Sequence, residues 1–336
     1  MFQTVIYTNK DSQFSSPIKT LPDSINVKFV EHNTNIPTPN LSPDISHETE
    51  LVDDKEAITP TSASPIIFPR SPLNPDLTNY GYNIIKLIGQ GAFAKVYLGQ
   101  RKSGDQKVAI KMMIKNQENH AFFNKEVDCL KKYQHPNIVK LIDSFITDEH
   151  LVIVQEYLAD GDLFDFINNN LKLSKSTVSD IFQQCVQAVH YLHKNDLAHR
   201  DIKLENFLLM KQKDRYIVKL TDFGLSINTL GNTTLNVSIS GSEEYLMPEL
   251  LVTSSKGHDL RKGDSWALGC ILYALTYGHL PYHYGNGVSR SSMFRKIALG
   301  ELNFPSDTNV DPNLKQNIKG LLKLNANHRI KLEQFL

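Results

Sequence analysis

The sequence has 336 residues, 40% apolar and 21% charged, a length and balance that fit two folded units or one large unit with a tail and exclude full disorder. Lys+Arg and Asp+Glu both number 36, so the net charge is zero and the basic excess of a protein that coats nucleic acid is absent. The longest mostly apolar run, Trp266 to Tyr277, is too short to cross ~30 Å of hydrocarbon as a helix. The start, MFQTVIYTNKDSQ, lacks the charged lead and long apolar core of a secretory signal.

Composition breaks near residue 80. Residues 1–79 contain no glycine, ten of the 15 prolines, and 5 basic against 10 acidic side chains. Proline at that density removes backbone donors and blocks helix growth, and the Ser/Thr-rich filling offers little to bury. The stretch reads as a disordered acidic tail, and 80–336 as the folded part. Six Ser/Thr-Pro steps lie in the tail: Ser16-Pro17, Thr38-Pro39, Ser42-Pro43, Thr59-Pro60, Ser64-Pro65 and Ser71-Pro72. They fit either phosphorylation by proline-directed enzymes or the plain composition of such a linker. Cys129, Cys185 and Cys270 are widely spaced and form no CxxC pair, which indicates reduced thiols in a cytoplasmic or nuclear protein.

The folded part opens with short β-branched runs: Ile84–Ile88, Lys95–Gly99 and Lys107–Met113, punctuated by Gly89-Gln90-Gly91 and Lys102-Ser103-Gly104-Asp105. Residues 119–132 read as a helix with Phe123, Val127 and Leu130 on one face, and Leu151–Glu156 as a further buried strand. Helices are expected over 162–170, 176–195, 264–278, 289–299 and 311–323. A small strand-rich lobe, about 80–156, therefore precedes a larger helical one, about 160–336. No internal repeat is visible.

Gly89, Gln90, Gly91 and Ala92 lead to Val96 between two expected strands. Glycines let backbone approach a phosphate with no Cβ in the way. The strand–loop–strand setting is wrong for a dinucleotide fold, which needs strand–turn–helix, and no G-x-x-x-x-G-K-[ST] run occurs. Val108-Ala109-Ile110-Lys111 follows. A lysine in an apolar strand needs anionic partners or a route to solvent. The candidate partners are nucleotide phosphates and Glu126 on the 119–132 helix, with Glu118 at or before the helix start as the alternative.

Further along stand His199-Arg200-Asp201-Ile202-Lys203-Leu204-Glu205-Asn206, then Asp222-Phe223-Gly224, then Met247-Pro248-Glu249. In this order and spacing they resemble the catalytic loop, the metal-binding motif and the A-P-E step of eukaryotic protein kinases, and the resemblance covers essentially 82–336. It implies an α+β bilobal fold: a small antiparallel sheet with one main helix above a larger helical lobe. It implies ATP and Mg²⁺ as cofactors and protein substrates as partners, in a monomer that needs neither nucleic acid nor membrane. Asp201 would orient the attacking hydroxyl, Lys203 would contact the transferring phosphoryl group, and Asp222 and Asn206 would hold the metal. Lys111 would grip the α/β-phosphates. Glu156 and Leu158 would offer backbone groups to adenine, Asp162 would meet the ribose, and Val96, Ala109 and Leu208 would sandwich the base. Gln155 stands at the gatekeeper position, and Leu130, Leu141, His199 and Phe223 match the hydrophobic column between the lobes. Glu249 and Arg329 resemble the buried salt bridge of the helical lobe, and Asp264 would bond the catalytic-loop backbone.

Lys203, two residues after Asp201, is the serine/threonine pattern, and Ser242 supports it. Leu246 would line the pocket for the residue after the acceptor. Glu205 would meet a basic substrate residue, although Ala274 stands where basophilic relatives often carry a second acid. Arg200 before Asp201 is the arrangement linked to activation-loop phosphorylation. Ser238 aligns with the usual site, with Thr233, Thr234 and Ser240 beside it, and an upstream kinase acting there or on the tail is an expected partner. Ile227 stands where a basic helper often lies, so phosphate at Ser238 is expected to modulate activity rather than gate it. Two rival classes remain at this point: a pseudokinase scaffold, and a small-molecule kinase sharing the fold. The first predicts a missing Lys111, Asp201, Asn206 or Asp222, and all are present. Gly-Ser-Glu-Glu-Tyr and Trp-Ala-Leu-Gly loosely resemble fungal or calcium/calmodulin-kinase-like members.

Overall fold

The computed structural model describes residues 4–6, 28–30, 75–91, 93–170, 172–230, 242–252, 257–285, 287–306 and 310–336. In the tail these are two antiparallel three-residue strands, Thr4–Ile6 and Lys28–Val30. The expected disorder of the rest of residues 1–74, their Ser/Thr-Pro steps, Ala92, Thr233, Thr234, Ser238 and Ser240 lie outside the described residues.

The small lobe is a five-stranded antiparallel sheet in the order β1-β2-β3-β5-β4. Its strands are β1 (Tyr82–Gln90), β2 (Ala94–Arg101), β3 (Lys107–Ile114), β4 (Leu141–Ile146) and β5 (His150–Glu156). Val108, Ile110 and Met112 alternate inward on β3 and pack with Leu77, Tyr82, Tyr97, Val152 and Val154. The expected boundary at 79/80 is thus too late: Leu77 is buried in this core and Thr78–Tyr80 forms a turn, because the apolar Leu77 side chain finds a place under the sheet.

The helix α1 (Gln117–Lys132) covers the sheet. It starts where Asn116 accepts the Asn119 N–H at 2.7 Å, a cap worth ~1 kcal/mol, and Lys131 and Lys132 complement the dipole at its end. Its Phe123, Val127 and Leu130 are buried at the expected spacing.

The large lobe contains α2 (Leu163–Asn169), α3 (Lys175–Lys194), α4 (Glu249–Val252), α5 (Leu260–Tyr277), α6 (Arg290–Leu299) and α7 (Pro312–Leu321). Ser174, Asp259, Ser289 and Asp311 cap four of them, and Pro312 sits in the first turn of α7. α5 is buried nearly all round, which is why it starts four residues earlier than its apolar run: Leu260 is buried, but Arg261, Lys262 and Gly263 mask the periodicity. The sequence reading did not include β4 of the small lobe or four short strands of the large lobe: β6 (Leu197–Ala198) with β9 (Ile227–Asn228), and the hairpin β7 (Phe207–Gln212) with β8 (Arg215–Leu220). The last two carry the catalytic loop and the Asp222 motif at their ends.

Candidate active site

Lys111 lies on β3 opposite Ile153 of β5, with its side chain 16% exposed. Its Nζ meets Glu126 Oε2 at 2.7 Å and Asp222 Oδ1 at 2.9 Å. Burial works against the ammonium, but Asp222 and then Glu126 outweigh it and hold the pKa above the ordinary lysine value. The same ammonium depresses Asp222 to about 2. Burial pushes the Glu126 carboxyl up, against the pull of Lys111. The expected partner is therefore Glu126; Glu118 sits in the first turn of α1.

In the loop before β7, Lys203 Nζ lies 2.8 Å from Asp201 Oδ2. Asn206 donates through Nδ2 to Asp201 O at 2.7 Å and to its Oδ2 at 3.0 Å. That amide nitrogen being taken, Asn206 keeps its oxygen for a cation. Asp264 at 2% exposure fixes the loop: its Oδ2 accepts His193 Nε2 at 2.8 Å and the His199 N–H at 2.9 Å, and its Oδ1 accepts the Arg200 N–H at 2.9 Å. Arg200 and Asp222 both adopt positive φ, 70° and 64°, which costs a residue with a Cβ of order 1–3 kcal/mol and persists because the surroundings over-determine it.

His199 is fully buried, and burial lowers its pKa, so it is neutral. Its Nε2 donates to Thr221 O at 3.2 Å while Nδ1 accepts the Asp201 N–H at 3.3 Å. Its ring meets Phe223 edge-on at 5.0 Å. Leu130 and Phe223 are buried in one core with Leu141 packed against it. Ser226 Oγ donates to Phe223 O at 2.7 Å and lies 3.2 Å from Cys129 Sγ on α1. The segment after Asp222 is thereby bound to both lobes.

A family model described as the protein kinase domain matches residues 82–336. The chain belongs to the protein kinase family. It is similar to Serine/threonine-protein kinase 36 of Pongo abelii, 34% identical over 74% of this chain and 18% of that protein. NUAK family SNF1-like kinase 1 of Homo sapiens is 32% identical over 75% of this chain and 37% of its own length. Myosin light chain kinase A of Dictyostelium discoideum is 36% identical over 67% and 75%. The chain thus spans well under half of the first two relatives. The names of these relatives point to no single subfamily.

The other expected residues that the structure describes sit on the strands and loops of the two lobes. Gly89 and Gln90 end β1 and Gly91 opens the turn to β2, its N–H donating to Ala94 O at 2.8 Å. Val96 pairs with both Gly89 and Lys111, and Ala109 with Gln155. Glu156 spends its side chain on Lys219 at 2.7 Å and on the Lys140 N–H, and Leu158 is buried. Asp162 caps α2 through the Asp165 N–H at 2.9 Å and bridges Leu208 through its backbone; burial raises its pKa. Arg329 meets Glu249 at 2.6 Å and lies over the Trp266 ring. Sequence reasoning missed Thr221, Ser226, His193 and Phe122, whose ring stacks on Phe93 of the glycine turn at 5.9 Å. None belongs to a spaced motif, and only the fold brings them to the site. Glu243 pairs with Arg290 next to Ser242.

Proposed function

We propose that this chain is an ATP-dependent kinase that transfers the γ-phosphoryl group to serine or threonine hydroxyls of protein substrates. The observation that carries the reading is the meeting of Lys111, Glu126 and Asp222, tied to the Asp201–Lys203–Asn206 cluster by the Thr221 N–H, which donates to Asn206 O at 2.9 Å. Phosphoryl transfer needs positioned charge more than covalent help, and these side chains supply both signs.

The donor set fits magnesium. Asp222 is ionised far below neutrality and Asn206 offers an amide oxygen, both hard ligands. When bound, magnesium neutralises charge across the phosphate oxygens. Lys111 binds the α/β-phosphates, kept charged and aimed by Glu126. The backbone of Gly89, Gln90 and Gly91 covers them. Glu156 and Leu158 orient adenine, Val96, Ala109 and Leu208 enclose it, and Asp162 meets the ribose. Asp201 accepts the acceptor hydroxyl's hydrogen bond and aligns its oxygen, taking the proton late. Lys203, 2.8 Å from Asp201 Oδ2, would contact the transferred phosphoryl group. Its place two residues after Asp201, together with the Gly241-Ser242 step in the sequence, supports hydroxyls of serine and threonine. Glu205 suits a basic residue upstream of the acceptor.

The long segment from Asp222 to Glu249 favours a protein over a small acceptor, and the intact Lys111, Asp201, Asn206 and Asp222 speak against a scaffold without turnover. Three buried free thiols fit the cytoplasm or nucleus. No helix among the described residues is long and apolar enough to cross a membrane. The test is phosphate transfer from labelled Mg·ATP to a peptide library, wild type beside Asp201→Asn. Wild-type labelling of serine and threonine that collapses in the variant is expected; equal labelling by both chains defeats the reading.

A further inference from the structure

We infer that Gln155 is a positioning residue that closes a ring of polar contacts linking Lys111, Glu126, Thr221 and Asp222. Gln155 is only 6% exposed, on β5, paired with Ala109 of β3 and Leu141 of β4. An amide buried there is costly unless its atoms find partners. Its Nε2 donates to Glu126 Oε1 at 3.5 Å, while Glu126 Oε2 holds Lys111 at 2.7 Å. Its Oε1 accepts from Thr221 Oγ1 at 3.4 Å. Thr221 is covalently followed by Asp222, whose Oδ1 returns to Lys111 at 2.9 Å. The circuit is closed.

The direction of the amide is fixed by chemistry. A carboxylate only accepts, so the NH₂ must face Glu126, and the oxygen is left for the threonine hydroxyl. The two amide contacts are long, as catalytic hydrogen bonds often are before substrate closes a site. The ring joins three separate elements: the helix α1, the strand pair β3–β5, and the segment that bears Asp222. Thr221 is anchored a second time, its N–H donating to Asn206 O at 2.9 Å. Gln155 therefore couples the tilt of α1 to the place of Asp222. An apolar side chain at this position fills the volume and leaves both neighbours without that link.

The inference rests on the proposed kinase reading for its rate effects, and hydrogen exchange tests it without turnover. The experiment takes the whole chain as wild type, Gln155→Leu, Thr221→Val and the double variant. Each is measured for kcat, KM for ATP, thermal midpoint and exchange of the α1 amides without nucleotide. Each single variant is expected to lose about 10-fold in kcat with KM for ATP within about 2-fold, because the ring positions the reacting groups and not the base. The double variant should lose no more than either single one, the mark of one shared contact. Amides of α1 should exchange faster in all three variants. Gln155→Asn, with a shorter amide, should behave like Gln155→Leu. Unchanged kcat and unchanged α1 exchange in Gln155→Leu overturn the inference, as do strictly additive losses in the double variant. A wild type without transfer activity, but with faster α1 exchange in the variants, keeps the ring and removes the kinase reading instead.

Discussion

Replacing Asp264 with asparagine changes one atom and tests how the catalytic loop is held. Asp264 is buried and accepts the His193 Nε2–H and His199 N–H on one oxygen and the Arg200 N–H on the other. Asparagine has a single acceptor oxygen. Whichever way its amide turns, at least one buried N–H of the loop loses its partner, and the bonds that survive lose their ionic assistance. One orphaned N–H costs ~1–3 kcal/mol, and with the lost charge assistance the total is ~3 kcal/mol. At ~2–4 °C per kcal/mol for a domain of this size, the thermal midpoint should fall by ~6–12 °C. Arg200, freed at φ 70°, would relax and displace the adjoining Asp201, so kcat should fall by up to about 10²-fold. Scanning calorimetry and initial rates of Asp264→Asn beside wild type give both readings. A midpoint within about 2 °C of wild type with unaltered kcat refutes the argument, because it would mean that these N–H groups find other partners.

Arg329 is fully buried against Glu249, and Arg329→Met should destabilise by ~3–5 kcal/mol in urea melts because a partly buried carboxylate is left behind. Gly320 of α7 has Ile330 Cδ1 at 2.0 Å and Cγ1 at 2.5 Å from where a Cβ would stand. Gly320→Ala should therefore lower the thermal midpoint, overpacking at ~1–3 kcal/mol outweighing the ~1 kcal/mol gained in helix propensity. Tyr82, buried and donating to Asp143 at 3.0 Å, is pushed up to about 12 by burial and then by that bond. A raised phenol contributes stability in full below its unfolded value near ~10 and loses it as pH climbs toward the folded one. Urea midpoints should accordingly fall between about pH 10 and 12 in wild type, and less steeply in Tyr82→Phe.

Much of this site was legible because phosphoryl transfer dictates residue types at fixed spacing within single loops. Asp201, Lys203 and Asn206 lie within one turn of chain, and Asp222 within one tripeptide. Lys111 was legible for the opposite reason: a charge in an apolar strand demands a partner, and Glu126 was the glutamate within the expected helix, Glu118 standing at or before its start. Elements announced by a period were placed to within a few residues, as α1 and α3 show. The β7–β8 hairpin was not, because Phe207–Gln212 and Arg215–Leu220 mix apolar with long charged residues, and their half-buried pattern takes meaning only against α3.

The sequence by itself determined the division between a proline-rich, glycine-free stretch and a folded part, the order of the two lobes, and the identity of the chemical groups. Those follow from local composition and spacing, which a linear chain displays openly. Only the tertiary structure decided how the groups support one another: Gln155 between Glu126 and Thr221, Ser226 against Cys129, His193 beside Asp264. Such contacts join residues far apart in the chain. Their strength comes from burial and distance, and neither exists until the two lobes and their connecting segments have packed together.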